Sequence, residues 1–571
     1  MIFQNLIAYY DRLIKTDKED VPHLGFSREE IGFSITLSRS GQLLGEPRDL
    51  RKKLAANKYE FFQSTVPYTN AVNVRSGKGA ATTANFMVDK ADYIFGMSGK
   101  AAKKQQRQSF AALVKDVAGQ SDDPGVLAVK AFLADWTPAD SPELEFWEEI
   151  CGTHGKWVAF ELEGETGFIH ERPAVQSLWQ QYLAKKEYRQ GVSLVTGSDG
   201  DIQDQYAQFK FGSGASLVSF NENAYESYNK KRGDNAPIHV IDEFKSSTAL
   251  KYLFRSKSQR LTIGDAVTVF WTERNSPIET LLGPLLKQDD TAADNQKLAE
   301  FLLAAKKGKE PHWKDYEGDV RFYILGFSLN KARLALRFCH DCSVDELKDR
   351  IGQHFRDLEM ETSSDRDLEN PGIWHLLKET VRETKDISPL LGGALMRSIL
   401  EGKEYPLHLY NGVLGRIRAD QRITYLRAAI LKAVLVRNFK DIIKEVPMSL
   451  NKEKKDTAYL LGRLFAVLEK AQLDALGKVN ATIKDRFYGA ASATPASVFP
   501  RLIRLSQHHI AKADYGYISD NNIAEITENL DKGFPAHLNL QEQGLFAIGY
   551  YQQRNDLWRK KQTEDKGEEN E

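Results

Sequence analysis

The last quarter of the chain carries the sequence feature that most constrains the fold. Within residues 457–472, leucines recur at three- and four-residue steps, at Leu460, Leu461, Leu464 and Leu468. That spacing predicts an amphipathic helix. A second segment, residues 485–512, is interrupted by Pro495 and Pro500 and resumes helical spacing at Leu502. We expect the two segments to pack together as a helical module that begins just after Met448.

The chain before that module changes from mixed to helical character. Alternating apolar and polar residues predict strands at residues 31–38, 156–164, 267–273, 320–329 and 333–338. From Val344 onward, successive helical patterns follow each other with short polar breaks. The sequence therefore predicts an α+β fold, in which a mixed N-terminal α/β body with antiparallel sheet elements precedes a helical middle region and an all-α C-terminal helix bundle. We place these regions at residues 1–340, 341–447 and 448–562, with a disordered acidic tail at 563–571.

The N-terminus predicts a surface helix instead of a signal peptide, because it lacks a basic start followed by an apolar core and a cleavage site. Its apolar side chains fall on one face, at Leu6, Tyr9, Tyr10 and Leu13. No run approaches the roughly 20 apolar residues that a membrane helix needs. Three cysteines are also too few for a disulfide framework in 571 residues. We therefore expect a cytoplasmic protein without a membrane partner.

Motifs for catalysis or metal binding are weak. The chain lacks the GxxxxGK[ST] phosphate loop, the HExxH zinc motif and the GxSxG nucleophile elbow. Cys339 and Cys342 form a single CxxC pair, whereas a structural zinc site usually has four ligands. Residues 197–201 (GSDGD) are typical of a hairpin turn, and His508 and His509 are adjacent on a predicted helix, so they cannot share a metal. We predict no metal, no cofactor and no catalytic residue, and an enzyme with a dispersed site remains an alternative.

The overall charge excludes a strong general attraction to polyanions. Seventy-eight Lys and Arg residues face 79 Asp and Glu residues, for a net charge of −1. Any nucleic-acid surface must therefore be local. Two basic clusters could supply it, or could be ordinary solvated surface. The first cluster is a glycine-containing loop at residues 73–79 and the basic residues that follow it, Lys100, Lys103, Lys104 and Arg107. The second cluster is a predicted helical stripe of Arg416, Arg418, Arg422 and Arg427.

A third segment, residues 216–238, combines tyrosines with amide side chains. We predict a short strand that leads into a helix containing Tyr225 and Tyr228, which ends in the sequence KKRGDNAP. The amide side chains are Asn221, Asn223, Asn229 and Asn235. Such residues could stack on bases or bond to them. Alternatively, these tyrosines and asparagines could cap helices or pack at the edge of a hydrophobic core.

Blocks along nearly the whole chain resemble a known family. They include GFSREEIGFSITL, NFMVDKADYIFG, SLVSFNENAYESY, VRFYILGFSLNKARLALRF, YLLGRLFAVLEKAQ and FPAHLNLQEQGLFAIGYYQQR. In order and spacing they resemble the large subunit of the type I-C CRISPR surveillance complex (Cascade). The resemblance implies RNA-guided DNA binding, in which the guide RNA (crRNA) reads the sequence and the protein reads a short protospacer-adjacent motif (PAM). It implies a non-catalytic subunit that recognises the PAM, promotes strand opening and R-loop stabilisation, and helps recruit a helicase-nuclease.

The resemblance also implies partners. These are crRNA, target double-stranded DNA, the backbone and crRNA-processing Cascade subunits, the helicase-nuclease, and separate copies of a small subunit equivalent to the C-terminal domain. In the family that product comes from an internal start, and Met448 stands where the start would fall. A structural scaffold subunit without direct DNA readout remains the alternative, which the near-neutral charge favours.

The site residues carried over from the family fall in two places. The PAM-side candidates lie in and after the glycine-containing loop, at Asn73, Arg75, Ser76, Lys78 and Asn85. The candidate contacts to the displaced strand lie in the terminal module, at Lys470, Lys484, Arg486, Arg501, Arg504 and Lys512. The family often has Asp-Asn where this chain has Asp89-Lys90, so a role for that asparagine does not transfer.

Overall fold

The computed structural model describes the chain at residues 1–16, 21–55, 58–68, 83–99, 101–136, 144–152, 157–209, 215–220, 223–263, 266–287, 296–330, 333–443, 445–477, 479–531 and 533–568. The chain divides into two compact units. Unit 1 comprises Met1–Arg255 and Leu329–Ala335, and unit 2 comprises Ser256–Ser328 and Leu336–Glu571. The predicted α+β fold is confirmed, with most of the strands in the N-terminal part and helices in the C-terminal part.

Unit 1 alternates short strands with helices. In chain order its elements are α1 (Ile2–Lys15), β1 (Phe26–Leu37), β2 (Leu43–Asp49), β3 (Lys52–Ala55), β4 (Lys58–Glu60), β5 (Phe62–Pro67), β6 (Val88–Lys90), α2 (Ala91–Ile94), β7 (Met97–Ser98), β8 (Ala101–Ala102), α3 (Lys104–Ala118), α4 (Pro124–Asp135), α5 (Trp147–Ile150), β9 (Trp157–Leu162), α6 (Pro173–Ala184), β10 (Arg189–Val192), β11 (Asp199–Ile202), β12 (Gln208–Phe209), β13 (Ala215–Ser216) and α7 (Val240–Arg255).

Strand β1 organises the main sheet of unit 1. Its first half pairs antiparallel with β5, and its second half pairs antiparallel with β2 and parallel with β9. The apolar side chains of β1 and β9 join those of α3, α4 and α6 in one core, among them Phe33, Phe110 and Phe160. Gly25, just before β1, has φ +87°, and a Cβ there would lie 2.2 Å from Leu183 Cδ1. The entry to β1 therefore requires glycine.

The N-terminal helix packs as predicted. Leu6, Tyr9, Tyr10 and Leu13 are the buried residues of α1, which confirms the predicted apolar face. This face lies against α7, where the ring centroids of Tyr10 and Phe244 are 5.9 Å apart. At the rim of the contact, Lys245 Nζ lies 2.8 Å from a carboxylate oxygen of Asp11.

Unit 2 is mainly helical. Its elements are β14 (Arg260–Ile263), β15 (Ala266–Thr272), α8 (Ile278–Lys287), α9 (Gln296–Lys307), β16 (Arg321–Asn330), β17 (Arg333–Ser343), α10 (Val344–Leu358), α11 (Ile373–Lys378), α12 (Pro389–Glu401), α13 (Leu407–Asp420), α14 (Tyr425–Asn438), α15 (Thr457–Leu476), α16 (Ile483–Ala493), α17 (Pro495–Lys512), α18 (Gly516–Glu528) and α19 (Leu540–Glu568). The tip of the β16–β17 pair, Leu329–Ala335, belongs to unit 1.

The hydrophobic core of unit 2 extends across the predicted boundaries at residues 340 and 448. Strands β14 to β17, which the sequence pattern predicts as part of the N-terminal body, lie in the order β17-β16-β15-β14. Phe270 and Phe322 of these strands belong to the same hydrophobic cluster as Leu347 of α10 and Leu464 of α15. One continuous core therefore joins the last strands, the middle helices and the terminal bundle.

The terminal helices differ from prediction at two points. Pro495 begins α17, as a proline at the first helical position can. Pro500 does not interrupt the helix and lies inside α17, so helical structure resumes at residue 495 and not at Leu502. Helix α19 continues to Glu568, into the segment that we predicted to be disordered.

Helices α15 and α19 are in backbone contact. A Cβ at Gly462 would lie 2.0 Å from the carbonyl oxygen of Phe546, and a Cβ at Gly549 would lie 2.3 Å from that of Tyr459. Arg463, 2% exposed, crosses this contact. Its guanidinium donates to Gln553 Oε1 at 2.9 Å and to Glu525 Oε1 of α18 at 2.9 Å. The glycines set the distance between the helices, and the arginine sets their register.

We expect unit 2 to lose stability in mild acid through His354. Burial lowers the pKa of His354 to about 3, and Arg437 adds to this effect. The histidine is thus neutral in the folded state but takes up a proton on unfolding below pH ~6.5. The contribution of the neutral His354 side chain to the free energy of unfolding is therefore complete above pH ~6.5, and it is lost as the pH falls towards 3. Between pH 6.5 and 5.5 this should cost about 1 kcal/mol.

Urea unfolding at both pH values checks this expectation. His354→Gln should lose about 1 kcal/mol less than the wild type over that interval. The matched control is His508→Gln, because His508 is an exposed histidine of unit 2. An identical pH slope for wild type and His354→Gln would contradict the assignment.

Candidate nucleic-acid interface

The PAM-side candidates lie partly outside the described structure. The PAM-side candidates Asn73, Arg75, Ser76 and Lys78 fall among the residues that are not described, and so does Lys100 of the basic cluster that follows the loop.

The turn after that loop is described from residue 83. Asp89 is completely buried, and its two carboxylate oxygens accept the backbone N–H groups of Asn85 at 2.8 Å and Lys90 at 2.7 Å. The side chain of Asn85 is only 2% exposed. Direct contact with DNA would require this turn to open, so Asn85 has a structural position here.

Arg107 is buried in unit 1, where its guanidinium contacts backbone carbonyl groups. It lies on the inner side of α3, and its guanidinium donates to the carbonyl of Leu133 at 3.0 Å, to that of Trp136 at 2.8 Å, and to that of Ile94. Burial lowers the pKa of Arg107 to about 10. Lys103 and Lys104 stand at the start of the same helix, and Lys104 is exposed. The predicted basic cluster thus splits between the two sides of α3.

The predicted stripe on the middle helices is largely used internally. Arg427 is buried and donates to Glu379 at 2.8 Å, to Asp420 at 2.7 Å and to the carbonyl of Arg422 at 2.8 Å. Arg416 pairs with the same Asp420, and Arg418 donates to the side chain of Gln543 on α19. Among the four predicted residues, Arg418 and Arg422 are exposed, and neither pairs with a carboxylate in the described part of the chain.

The terminal module separates its basic residues into paired and open ones. Lys470 pairs with Asp474 and lies over the Trp558 ring, and Lys484 lies 3.9 Å from the buried carboxylate of Glu469. Four other predicted residues are exposed, and no carboxylate of the described chain pairs with them. They are Arg486, Arg501, Arg504 and Lys512.

Three of the open residues share one face of α17 with a histidine. Arg501, Arg504, His508 and Lys512 follow each other at steps of three, four and four residues. That spacing places them on one side of a helix, over about 16 Å of its length. The other side packs into the core through Phe499 and Leu502. Helix α17 has no acidic residue, so this cationic face of α17 carries no opposing charge of its own.

Exposed aromatic residues, which are absent from the predicted site, follow that face. Tyr515 is 71% exposed and Tyr517 is 62% exposed, at the start of α18. Bases can stack on exposed aromatic rings while cations hold the adjacent phosphates. The signal available in the sequence was the pair of tyrosines directly after an acid-free basic helix, in the segment AKADYGY.

The segment at residues 216–238 also differs from prediction. The predicted helix is wrong, because a single 3₁₀ turn at Asn223–Tyr225 precedes a tight turn at Tyr228 and Asn229. Both of these residues have positive φ, at 52° and 57°, which no right-handed helix contains. Tyr225 and Tyr228 are exposed, so neither fills the edge of a core.

The groups considered for catalysis and metal binding have structural positions. Residues 197–201 belong to the β10–β11 hairpin, as predicted. Cys342 is completely buried whereas Cys339 is exposed, so the two thiols lie on opposite sides of β17. His509 is buried and its neighbour His508 is exposed. Within the described residues, no group of three or more His, Cys, Asp or Glu residues is placed to hold a metal.

One buried contact joins a serine to a histidine in unit 1. Ser64 Oγ lies 3.0 Å from His170 Nε2, which would suit a nucleophile and its base. Ser64 is 1% exposed and His170 is fully buried. Burial lowers the pKa of His170 to about 3, which makes it a poor base at neutral pH. Glu171 accepts the serine hydroxyl at 2.7 Å and does not orient the histidine ring through a hydrogen bond, so the contact is a packed polar pair.

We expect Arg107→Ala to destabilise the protein by about 3 kcal/mol, because three carbonyl groups would lose a charged donor. Thermal or urea unfolding measures the change. The matched control is Arg422→Ala, which removes an exposed arginine and should change stability by less than about 0.5 kcal/mol. Equal stabilities for the two variants would contradict the structural role of Arg107.

Comparison with known proteins assigns the chain to a family. No described helix is both long and apolar enough to cross a membrane. No curated protein matches this sequence. A family model, described as CRISPR-associated protein (Cas_Csd1), matches residues 6–558. Because that match covers nearly the whole chain, this protein belongs to the Cas_Csd1 family of CRISPR-associated proteins, the large subunits of type I-C Cascade complexes.

Proposed function

We propose that this chain is the non-catalytic large subunit that recognises the PAM in double-stranded DNA, promotes strand opening and helps recruit the helicase-nuclease. Family membership supports the assignment to a Cascade assembly. The observation that carries the DNA-binding part is the cationic face of α17, with three exposed basic residues and no acidic residue on the helix. A cytoplasmic location follows from this role.

The cationic face of α17 suits a single strand held along a helix. Arg501, Arg504 and Lys512 would neutralise successive phosphates, and Tyr515 or Tyr517 would receive a base at one end. In an R-loop, the displaced DNA strand is the single strand without a pairing partner. We therefore assign the displaced strand to this face and stabilisation of the R-loop to unit 2.

We expect Arg501→Ala, Arg504→Ala and Lys512→Ala together to weaken target binding by the guide-loaded complex. Each phosphate contact to a single strand contributes about 0.7 to the slope of log affinity against log salt, so the slope should fall by about 2. Gel shifts over a salt series measure the slope. The matched control is Lys470→Ala, because that lysine already pairs with Asp474.

An unchanged salt slope in the triple variant would remove this face from the proposal. Guide-loaded complex that lacks the chain provides the wider test. If it binds target as tightly as the complete complex, the chain is a scaffold without DNA readout or has another role.

We propose that the loop at residues 73–79 reads the PAM side of the duplex. Its composition supports the proposal, since Arg75 and Lys78 can neutralise phosphates and Asn73 and Ser76 can bond to base edges. Further along the chain, the buried Asp89 accepts the backbone N–H groups of Asn85 and Lys90.

We expect Arg75→Ala with Lys78→Ala to weaken target binding several-fold at physiological salt, because each lost contact is worth about 1–3 kcal/mol. Gel shifts with guide-loaded complex measure it. Lys130→Ala, a change at a surface lysine that bonds to the carbonyl of Gly119, is the control. Affinity equal to that of the wild type would exclude this loop.

We also propose that Met448 starts a separate small subunit made of α15 to α19. The backbone contact of α15 with α19 supports an independent bundle. In the full chain this bundle also bonds to earlier residues. Gln552 Nε2 donates to the carbonyl of Pro447 at 2.7 Å, and Tyr551 Oη donates to that of Glu361 at 2.8 Å. Because one continuous hydrophobic core joins this bundle to the earlier helices, a separate product would need a neighbouring subunit to cover that apolar surface and to replace these acceptors.

A further inference from the structure

A tight turn in unit 1 presents one tyrosine almost entirely to solvent. Tyr228 and Asn229 form a two-residue turn in which the N–H of Lys230 donates to the carbonyl of Ser227 at 2.9 Å. Both central residues have positive φ, the conformation of the type I′ turns that close hairpins. The Tyr228 side chain is 95% exposed. A tyrosine is an unusual residue at such a position, since glycine or asparagine fits it better.

The base of this turn is firmly held. Asn235 Nδ2 donates to the carbonyl of Lys230 at 2.9 Å and to that of Arg232 at 3.2 Å. The Arg232 guanidinium donates to Asp204 at 2.9 Å, and the N–H of Gly233 donates to the carbonyl of Asp204 at 2.9 Å. A Cβ at Gly233 would lie 2.1 Å from the Gln203 carbonyl oxygen. These hydrogen bonds therefore fix the turn that carries the exposed Tyr228 ring.

The residues after the ring are cationic. Lys230 and Lys231 are exposed, and no carboxylate of the described chain pairs with either. Tyr225, on the other side of the turn, lies under the Arg333 guanidinium, 4.2 Å from it. An aromatic ring beside unpaired lysines suits a base with its adjacent phosphates. Lysine is depleted in protein–protein interfaces, so the same charges disfavour a protein partner.

We propose that Tyr228 stacks on an unpaired nucleobase and that Lys230 and Lys231 hold the phosphates beside it. This inference rests on the proposed nucleic-acid function and adds a second single-strand contact, in unit 1. Stacking uses the ring face and not the hydroxyl group, and every base offers such a face. The chemistry is shared by single-stranded RNA and DNA, and the experiment separates the two.

The test uses the purified full-length chain and two labelled probes, 12-nucleotide oligo(dT) and 12-nucleotide oligo(U), by fluorescence anisotropy. Tyr228→Ala should weaken binding of at least one probe by about 5- to 100-fold, as the loss of a stacked base does. Tyr228→Phe should bind as the wild type does. Asn229→Gly, which keeps the turn and the ring, is the matched control. A loss confined to oligo(U) assigns an RNA strand, and a loss confined to oligo(dT) assigns a DNA strand.

A further variant separates binding from folding. Tyr228→Gly places the residue that tolerates positive φ at this position. It should unfold at a temperature no lower than the wild type and still lose binding, which a merely structural tyrosine would not do.

Three results would overturn the inference. They are a wild-type chain that binds neither probe, equal binding by wild type and Tyr228→Ala, and a Tyr228→Ala chain that binds both probes but no longer co-purifies with the other complex subunits. The last result would assign a protein partner. These outcomes are distinct from failure of the proposed function, which is measured by duplex target binding with and without the whole chain.

Discussion

The backbone contact between α15 and α19 is the interaction on which the helical unit depends. Two glycines bring the helices together until main-chain atoms touch. Helices this close gain dispersion contacts along their length, and Arg463 adds a buried polar link to α18. Helices α16, α17 and α18 pack around α15 in turn. Phe499 of α17 packs against Phe465 of α15 and Phe546 of α19, so the close approach of these two helices contributes to the position of α17 and its basic residues.

Hydrogen bonds and ion pairs inside the protein determine which basic residues a ligand can reach. Arg107 donates only to carbonyl groups, whereas Arg427 holds two carboxylates together. Arg437 pairs with the buried carboxylate of Asp357 at 2.6 Å. Buried arginines of this kind hold loops and helices together and cannot contact a ligand directly. The charge available to a partner therefore depends on a few residues, such as those of α17, and not on the total.

Local patterns predicted much of the fold, and contacts distant in sequence account for what they missed. The buried face of α1 and the central part of β1 follow from residue spacing alone. Arg427, in contrast, looked like surface because its partner Glu379 is 48 residues away along the chain. The turn at Tyr228 was not predicted because neither tyrosine nor asparagine excludes a helix at that position. The hydrogen bonds of Asn235 and Asp204 to residues 230–233, which stabilise the turn, join residues that the local pattern does not connect.

The packing of α1 against α7 has a consequence for the newly made chain. About 225 residues separate the end of α1 from the start of α7. At a synthesis rate of 5–20 residues per second, α1 would leave the ribosome roughly ten to fifty seconds before the surface that covers it exists. During that interval its tyrosines and leucines are open to chaperones or to other nascent chains. Expression yield of this protein should therefore depend on translation speed and chaperone supply as much as on the stability of the finished fold.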